Sequence, residues 1–149
     1  MPTPDSVTTL NILGNGIPAL VARADQTTQA ANIGSTLLYT VPAGGAGTYR
    51  VSAYAVVTQA ATTSSTLPNV HISWTDNDTG TVPAANVTNS TTNNTVGTTS
   101  MFANQPNATG GTIQAQAGTA INYSTTGYTS VGATPMQYAI HIKLEYLGN

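Results

Sequence analysis

Tyr49-Arg50-Val51-Ser52-Ala53-Tyr54-Ala55-Val56-Val57 is the stretch that decides the fold class. Counted by twos, Tyr49, Val51, Ala53, Ala55 and Val57 fall on one side of an extended chain, and the other side opens with the polar Arg50 and Ser52. That is the period of a strand with one buried face, and the side holding Val51 is the predicted core side. The same period returns near the end of the chain: Tyr138, Ile140, Ile142, Leu144 and Tyr146 alternate with Gln137, Ala139, His141, Lys143 and Glu145. A strand with one wet face is predicted there too.

Working outward, residues 10–13, 19–22, 36–41, 69–75, 96–102, 112–117 and 119–125 read as further strands, each bounded by Gly, Pro, Asn or Asp. Helical periodicity is hard to find, because β-branched residues, Gly and Pro recur and strong helix formers are scarce. About eight short strands at close spacing predict an all-β chain: an antiparallel β-sandwich, jelly-roll-like, with an extended N-terminal arm. Residues 1–34 hold only short apolar pieces and read as an arm or an edge-strand extension; residues 35–149 read as the sandwich domain. Asp76-Asn77-Asp78-Thr79-Gly80 is the predicted turn of a hairpin following Trp74. Residues 83–95, rich in Asn and Thr, read as a low-complexity polar surface loop with too little apolar surface to order itself strongly.

Composition narrows the function. The 149 residues include 3 Lys+Arg, 5 Asp+Glu and no Cys, and only 5% are charged, against about 25% in an ordinary soluble domain. Thr, Ala, Gly, Asn and Ser fill 85 positions, so the chain is polar without being ionic. A net charge of −2 with cations only at Arg23, Arg50 and Lys143 argues against a nucleic-acid or anionic-membrane partner held by electrostatics. No window approaches the roughly 18 apolar residues of a spanning helix, and Met1-Pro2-Thr3-Pro4-Asp5 does not look like a secretory leader; a soluble chain is expected. Without cysteine there are no disulfides, thiolate nucleophiles or sulfur metal ligands. Hydrophobic residues make up 40%, yet 20 of them are Ala, so the core is thin. Few charges guard against association, and oligomerisation is expected.

Catalytic chemistry has a short inventory: Asp5, Asp25, Asp76, Asp78, Glu145, His71 and His141. The two histidines read as surface residues of strands, and a His–His metal site across paired strands is the competing reading. Asp76, Asp78 and Gly80 resemble the start of a calcium loop. An EF-hand loop from Asp76 needs an acid at its twelfth position, where Val87 stands; an Asx-rich turn is the main reading and a weak calcium ion the other. Gly44-Gly45-Ala46-Gly47-Thr48 lacks the Lys of a phosphate-cradling loop, and no Gly-x-Ser-x-Gly elbow occurs. No enzyme and no cofactor are predicted. The seven tyrosines read mainly as core or subunit contacts, with Tyr54 and Tyr128 as the candidates for stacking on a sugar.

Four phrases carry a resemblance: residues 31–42 (Ala-Asn-Ile-Gly-Ser-Thr-Leu-Leu-Tyr-Thr-Val-Pro), 47–52 (Gly-Thr-Tyr-Arg-Val-Ser), 60–67 (Ala-Ala-Thr-Thr-Ser-Ser-Thr-Leu) and 127–138 (Gly-Tyr-Thr-Ser-Val-Gly-Ala-Thr-Pro-Met-Gln-Tyr). Together they resemble small β-sandwich structural proteins of tailed bacteriophages, over about residues 31–147. The resemblance implies a virion structural protein made in the host cytoplasm and released by lysis. Such modules occur as capsid decoration (cement) proteins or as fibre domains, commonly trimers. The length favours a decoration protein on the capsid surface, with itself and the major capsid protein as partners. The arm is then the expected capsid-binding element, through Leu10, Ile12, Leu13, Ile17, Leu20, Val21 and Arg23. The alternative is a receptor- or glycan-binding module of a tail or head fibre, in which loops 83–95 and 103–111 contact cell-surface glycan.

Overall fold

A computed structural model describes residues 18–100 and 111–148. These residues form eleven strands and no helix: β1 (Ala19–Gln29), β2 (Thr36–Thr40), β3 (Gly47–Gln59), β4 (Ser64–Thr66), β5 (Asn69–Ser73), β6 (Ala84–Asn86), β7 (Thr99–Ser100), β8 (Thr112–Ala115), β9 (Ala120–Thr126), β10 (Thr129–Val131) and β11 (Gln137–Gly148). Eight of them wind as a long hairpin rolled around itself. β1 pairs with β11, β2 with β9, β3 with β8 and β5 with β6, first with last and so inward, every pair antiparallel. Successive pairs alternate between two sheets, β1-β11-β3-β8 and β2-β9-β5-β6, with β7 added on β3 beside β8. This winding is a jelly roll. β4 and β10 form a separate two-stranded ribbon.

Both decisive stretches are the central strands of the first sheet. In β3, Tyr49, Val51, Ala55 and Val57 are buried and Ala53 is half-buried; in β11, Tyr138, Ile140, Ile142 and Leu144 are buried. Opposite them the second sheet contributes Val70, Ile72, Ile121 and Tyr123. Each of these large side chains contributes about 1.5–3 kcal/mol on leaving water, which compensates for the many Ala and Thr elsewhere. Tyr138 also ties the layers together. Its hydroxyl donates to Ala31 O at 2.7 Å and lies 2.9 Å from Thr125 Oγ1 on β9.

The turns follow their chemistry. Gly45 N donates to Pro42 O at 2.9 Å, and Gly44 between them has φ +81°, the left-handed position of a type II turn. Asp76 Oδ1 accepts from the Asp78 and Thr79 amides and from Thr79 Oγ1, closing the Asx turn between β5 and β6.

Several expectations need correction or relocation. The predicted strand 19–22 is the start of an eleven-residue strand on the sheet edge, and the boundary drawn at residue 34 falls in the connection from β1 to β2. The predicted strand 10–13 lies outside the described residues. Of 96–102, only Thr99–Ser100 is a strand among the described residues. The polar β4, β6 and β10 carry no signal in the sequence, because short Ser-, Thr- and Ala-rich strands have no apolar alternation to read. Segment 83–95 is not a self-solvated loop. It supplies β6, buries Val87 and Thr88, bridges to Leu67 through Thr91, and anchors through Asn94. Asn94 Oδ1 accepts from Ala61 N and Ser65 Oγ, and Nδ2 donates to Ala61 O, each at 2.7 Å. Side-chain-to-backbone bonds supplement the few apolar contacts, Ala85 and Val87, that the segment makes with the core.

Candidate functional site

The outer face of the β1-β11-β3 layer gathers all three Lys and Arg residues of the chain. Antiparallel register fixes the arrangement, because residues directly opposite each other project to the same side. Three cross-strand rows result: Leu20, Glu145, Arg50; Arg23, Lys143, Ser52; and Asp25, His141, Tyr54. A register shift on β1 between Leu20 and Ala22 puts Leu20 and Arg23, an odd number of positions apart, on this face together. Val21 packs against the core instead.

The outer rows are internally paired. Arg50 Nε donates to Glu145 Oε2 at 2.7 Å, and Arg50 holds the Glu145 carboxyl below its usual range. His141 Nδ1 lies 2.5 Å from Asp25 Oδ1, and this bond is the main cause of the lowered Asp25 pKa; the nearby Arg23, 3.4 Å from Oδ2, acts in the same direction. The His141 ring stacks on Tyr54 at 4.8 Å with 29° between planes. In the central row Arg23 and Lys143 stand opposite each other, and Lys143 has no carboxylate within 4 Å among the described residues. All of these groups except Glu145 line a depression of about 540 Å³, which Val51, Ala53 and Ile142 of β3 and β11 also line. Exposed pairs of this kind add little to stability, so their placement matters more to what the face can bind than to folding.

Of the predicted capsid-binding residues, Leu10, Ile12, Leu13 and Ile17 lie outside the described residues. Leu20 and Arg23 lie on this face, and Val21 points inward. His71 and His141 do not form a cross-strand pair: His71 is on β5 in one sheet, His141 on β11 in the other. His71 Nε2 is 2.8 Å from Thr126 Oγ1, and burial lowers its pKa. Among the described residues no group of three His, Cys, Asp or Glu side chains is placed to hold a metal ion. The Asp76 carboxylate is engaged by its own turn, which holds its pKa low, chiefly through Thr79. The two tyrosines considered for sugar stacking separate clearly. Tyr54 is 41% exposed, whereas Tyr128 packs on Tyr138 and donates its hydroxyl to Met136 O. The sequence placed Arg50, Ser52, His141, Lys143 and Glu145 on polar faces; strand order alone brings them side by side.

Comparison of the chain with protein families, with curated proteins and with solved structures gave no match.

Proposed function

We propose that the protein is a structural virion protein, a decoration (cement) protein that docks as a homotrimer where major capsid subunits of a tailed-phage head meet. The observation that carries this reading is the rolled-hairpin winding, an architecture that viral coat domains use repeatedly. It supports the reading by analogy of fold. The resemblance of residues 31–42, 47–52, 60–67 and 127–138 to phage β-sandwich proteins points the same way. β1 begins at Ala19 opposite Tyr146 of β11, and Leu10, Ile12, Leu13 and Ile17 precede it in the sequence. In this reading these residues contact the shell. Three linked copies act together through effective concentration and clamp the shell against genome pressure.

The test is copy number in purified particles, measured by quantitative mass spectrometry against the major capsid protein. A ratio near one per capsid subunit is expected. A ratio of a few per hundred, or absence from particles, overturns the decoration role, and the former favours the fibre-tip, glycan-recognising alternative. A deletion that probes the capsid contact must stop at residue 17, since removing residues 1–30 also removes the edge strand β1. The 18–149 protein is expected to fold and lose head binding; retained binding refutes the proposed contact.

A further inference from the structure

The depression on the outer face of the β1-β11-β3 layer has features that the decoration role does not use. Its central row sets Arg23 directly opposite Lys143, an arrangement that like-charge repulsion makes unfavourable in the free protein. Asp25 and Glu145 belong to the neighbouring rows: Asp25 is shared between His141 and Arg23, and Glu145 is engaged by Arg50, so Lys143 is the cation of the face with no carboxylate within 4 Å among the described residues. The face carries three cations and two carboxylates, a formal excess of one positive charge, whereas the other charged residues of the chain, Asp5, Asp76 and Asp78, are all acidic. Asp25 offsets part of that repulsion from the Arg23 side; an anion seated between Arg23 and Lys143 gives Lys143 the partner it lacks.

We propose that this depression binds a carboxylated sugar unit of a glycan. Lys143 and Arg23 take the sugar carboxylate, and Arg23 keeps donors beyond its single contact with Asp25. Ser52 lies in the same row, and Asp25 in the next, as partners for ring hydroxyls. Tyr54 has one ring face taken by its stack on His141 and is exposed elsewhere; its uncovered face and edge supply a rigid apolar wall for the C–H face of the ring. The volume of about 540 Å³ lies within the range of about 300–1,000 Å³ typical of small-ligand sites. An acidic peptide would need the cations but neither the aromatic wall nor the adjoining acceptor, and for that reason a sugar is the better fit.

The experiment is titration of the full chain, followed by calorimetry and amide chemical shifts, with trigalacturonic acid, with 3′-sialyllactose, and with neutral lactose and a hexaglutamate peptide as controls. Saturable binding of either carboxylated sugar, with the shifts confined to β1, β3 and β11 and no binding of lactose, is expected; which sugar binds tells uronate from sialate. Lys143→Gln and Tyr54→Ala should each weaken it about tenfold, the worth of one charge-assisted or stacking contact. Both side chains are on the surface, and unchanged thermal unfolding of the variants shows that folding is intact. Failure of both sugars to bind overturns the proposal. So does hexaglutamate binding as tightly as the sugars with no effect of Tyr54→Ala, which would identify an acidic-peptide surface. Copy number in particles bears on neither outcome.

Discussion

Asn94→Ala tests whether a segment with hardly any large apolar residue is ordered by hydrogen bonding. The side chain makes three bonds of 2.7 Å: two accepted by Oδ1 from Ala61 N and Ser65 Oγ, and one donated by Nδ2 to Ala61 O. Ala61 and Ser65 are both buried. Truncation leaves the Ala61 amide and carbonyl without these partners, at about 1–3 kcal/mol for each group left unsatisfied and less where water enters. A loss of about 2–4 kcal/mol is expected, a large fraction of the roughly 5–15 kcal/mol that holds a domain together. For a domain of this size it corresponds to a fall in Tm of about 5–15 °C. Urea unfolding should show a lower midpoint with an unchanged m-value. Asn94→Asp keeps the acceptor but turns a carboxylate oxygen toward Ala61 O, so it should be at least as damaging at neutral pH and recover partly below the carboxylate pKa. A loss under about 0.5 kcal/mol for Asn94→Ala refutes the idea that this side chain anchors segment 83–95.

Tyr138→Phe keeps the buried ring but removes the hydroxyl that spans Ala31 O and Thr125 Oγ1; Thr125 Oγ1 retains its bond from Ile33 N, so a loss of about 1–3 kcal/mol by urea unfolding is expected, and a neutral result means that the hydroxyl does not tie the layers. Burial holds the His71 pKa below its ordinary value, so the unfolded chain takes up the proton first and stability falls as pH drops below about 6.5. His71→Gln should flatten the urea midpoint between pH 7 and pH 5.5, a window above the titration of the low-pKa Asp25, Asp76 and Glu145 carboxyls; an unchanged slope shows that another group is responsible.

Period-two alternation was enough to read β3 and β11 and their core sides, because the sequence itself separates Val51 from Ser52 and Ile142 from Lys143. It also marked the Asp76 turn, where one carboxylate organises its own neighbours. It did not mark β4, β6 or β10, whose Ser, Thr and Ala residues carry no apolar contrast. Segment 83–95 departs from its expected character for a related reason: besides the pairing of β6 and the burial of Val87, Thr88 and Asn94 bond distant backbone groups, and composition does not reveal such partners. On β1, strict alternation groups Val21 with Arg23. The register shift after Leu20 breaks that grouping and turns Arg23 and Leu20 to one face.

By itself, then, the sequence determined the all-β class, the buried sides of the central strands and the scarcity of titratable chemistry, since these depend on local period and residue type. Only the tertiary structure decided that Arg23, Arg50 and Lys143, spread over 120 residues of chain, share one face with Tyr54 and His141. Which strands become neighbours is set by how the long hairpin rolls so that both of its layers bury their apolar sides. That global choice brings together residues that no local pattern connects.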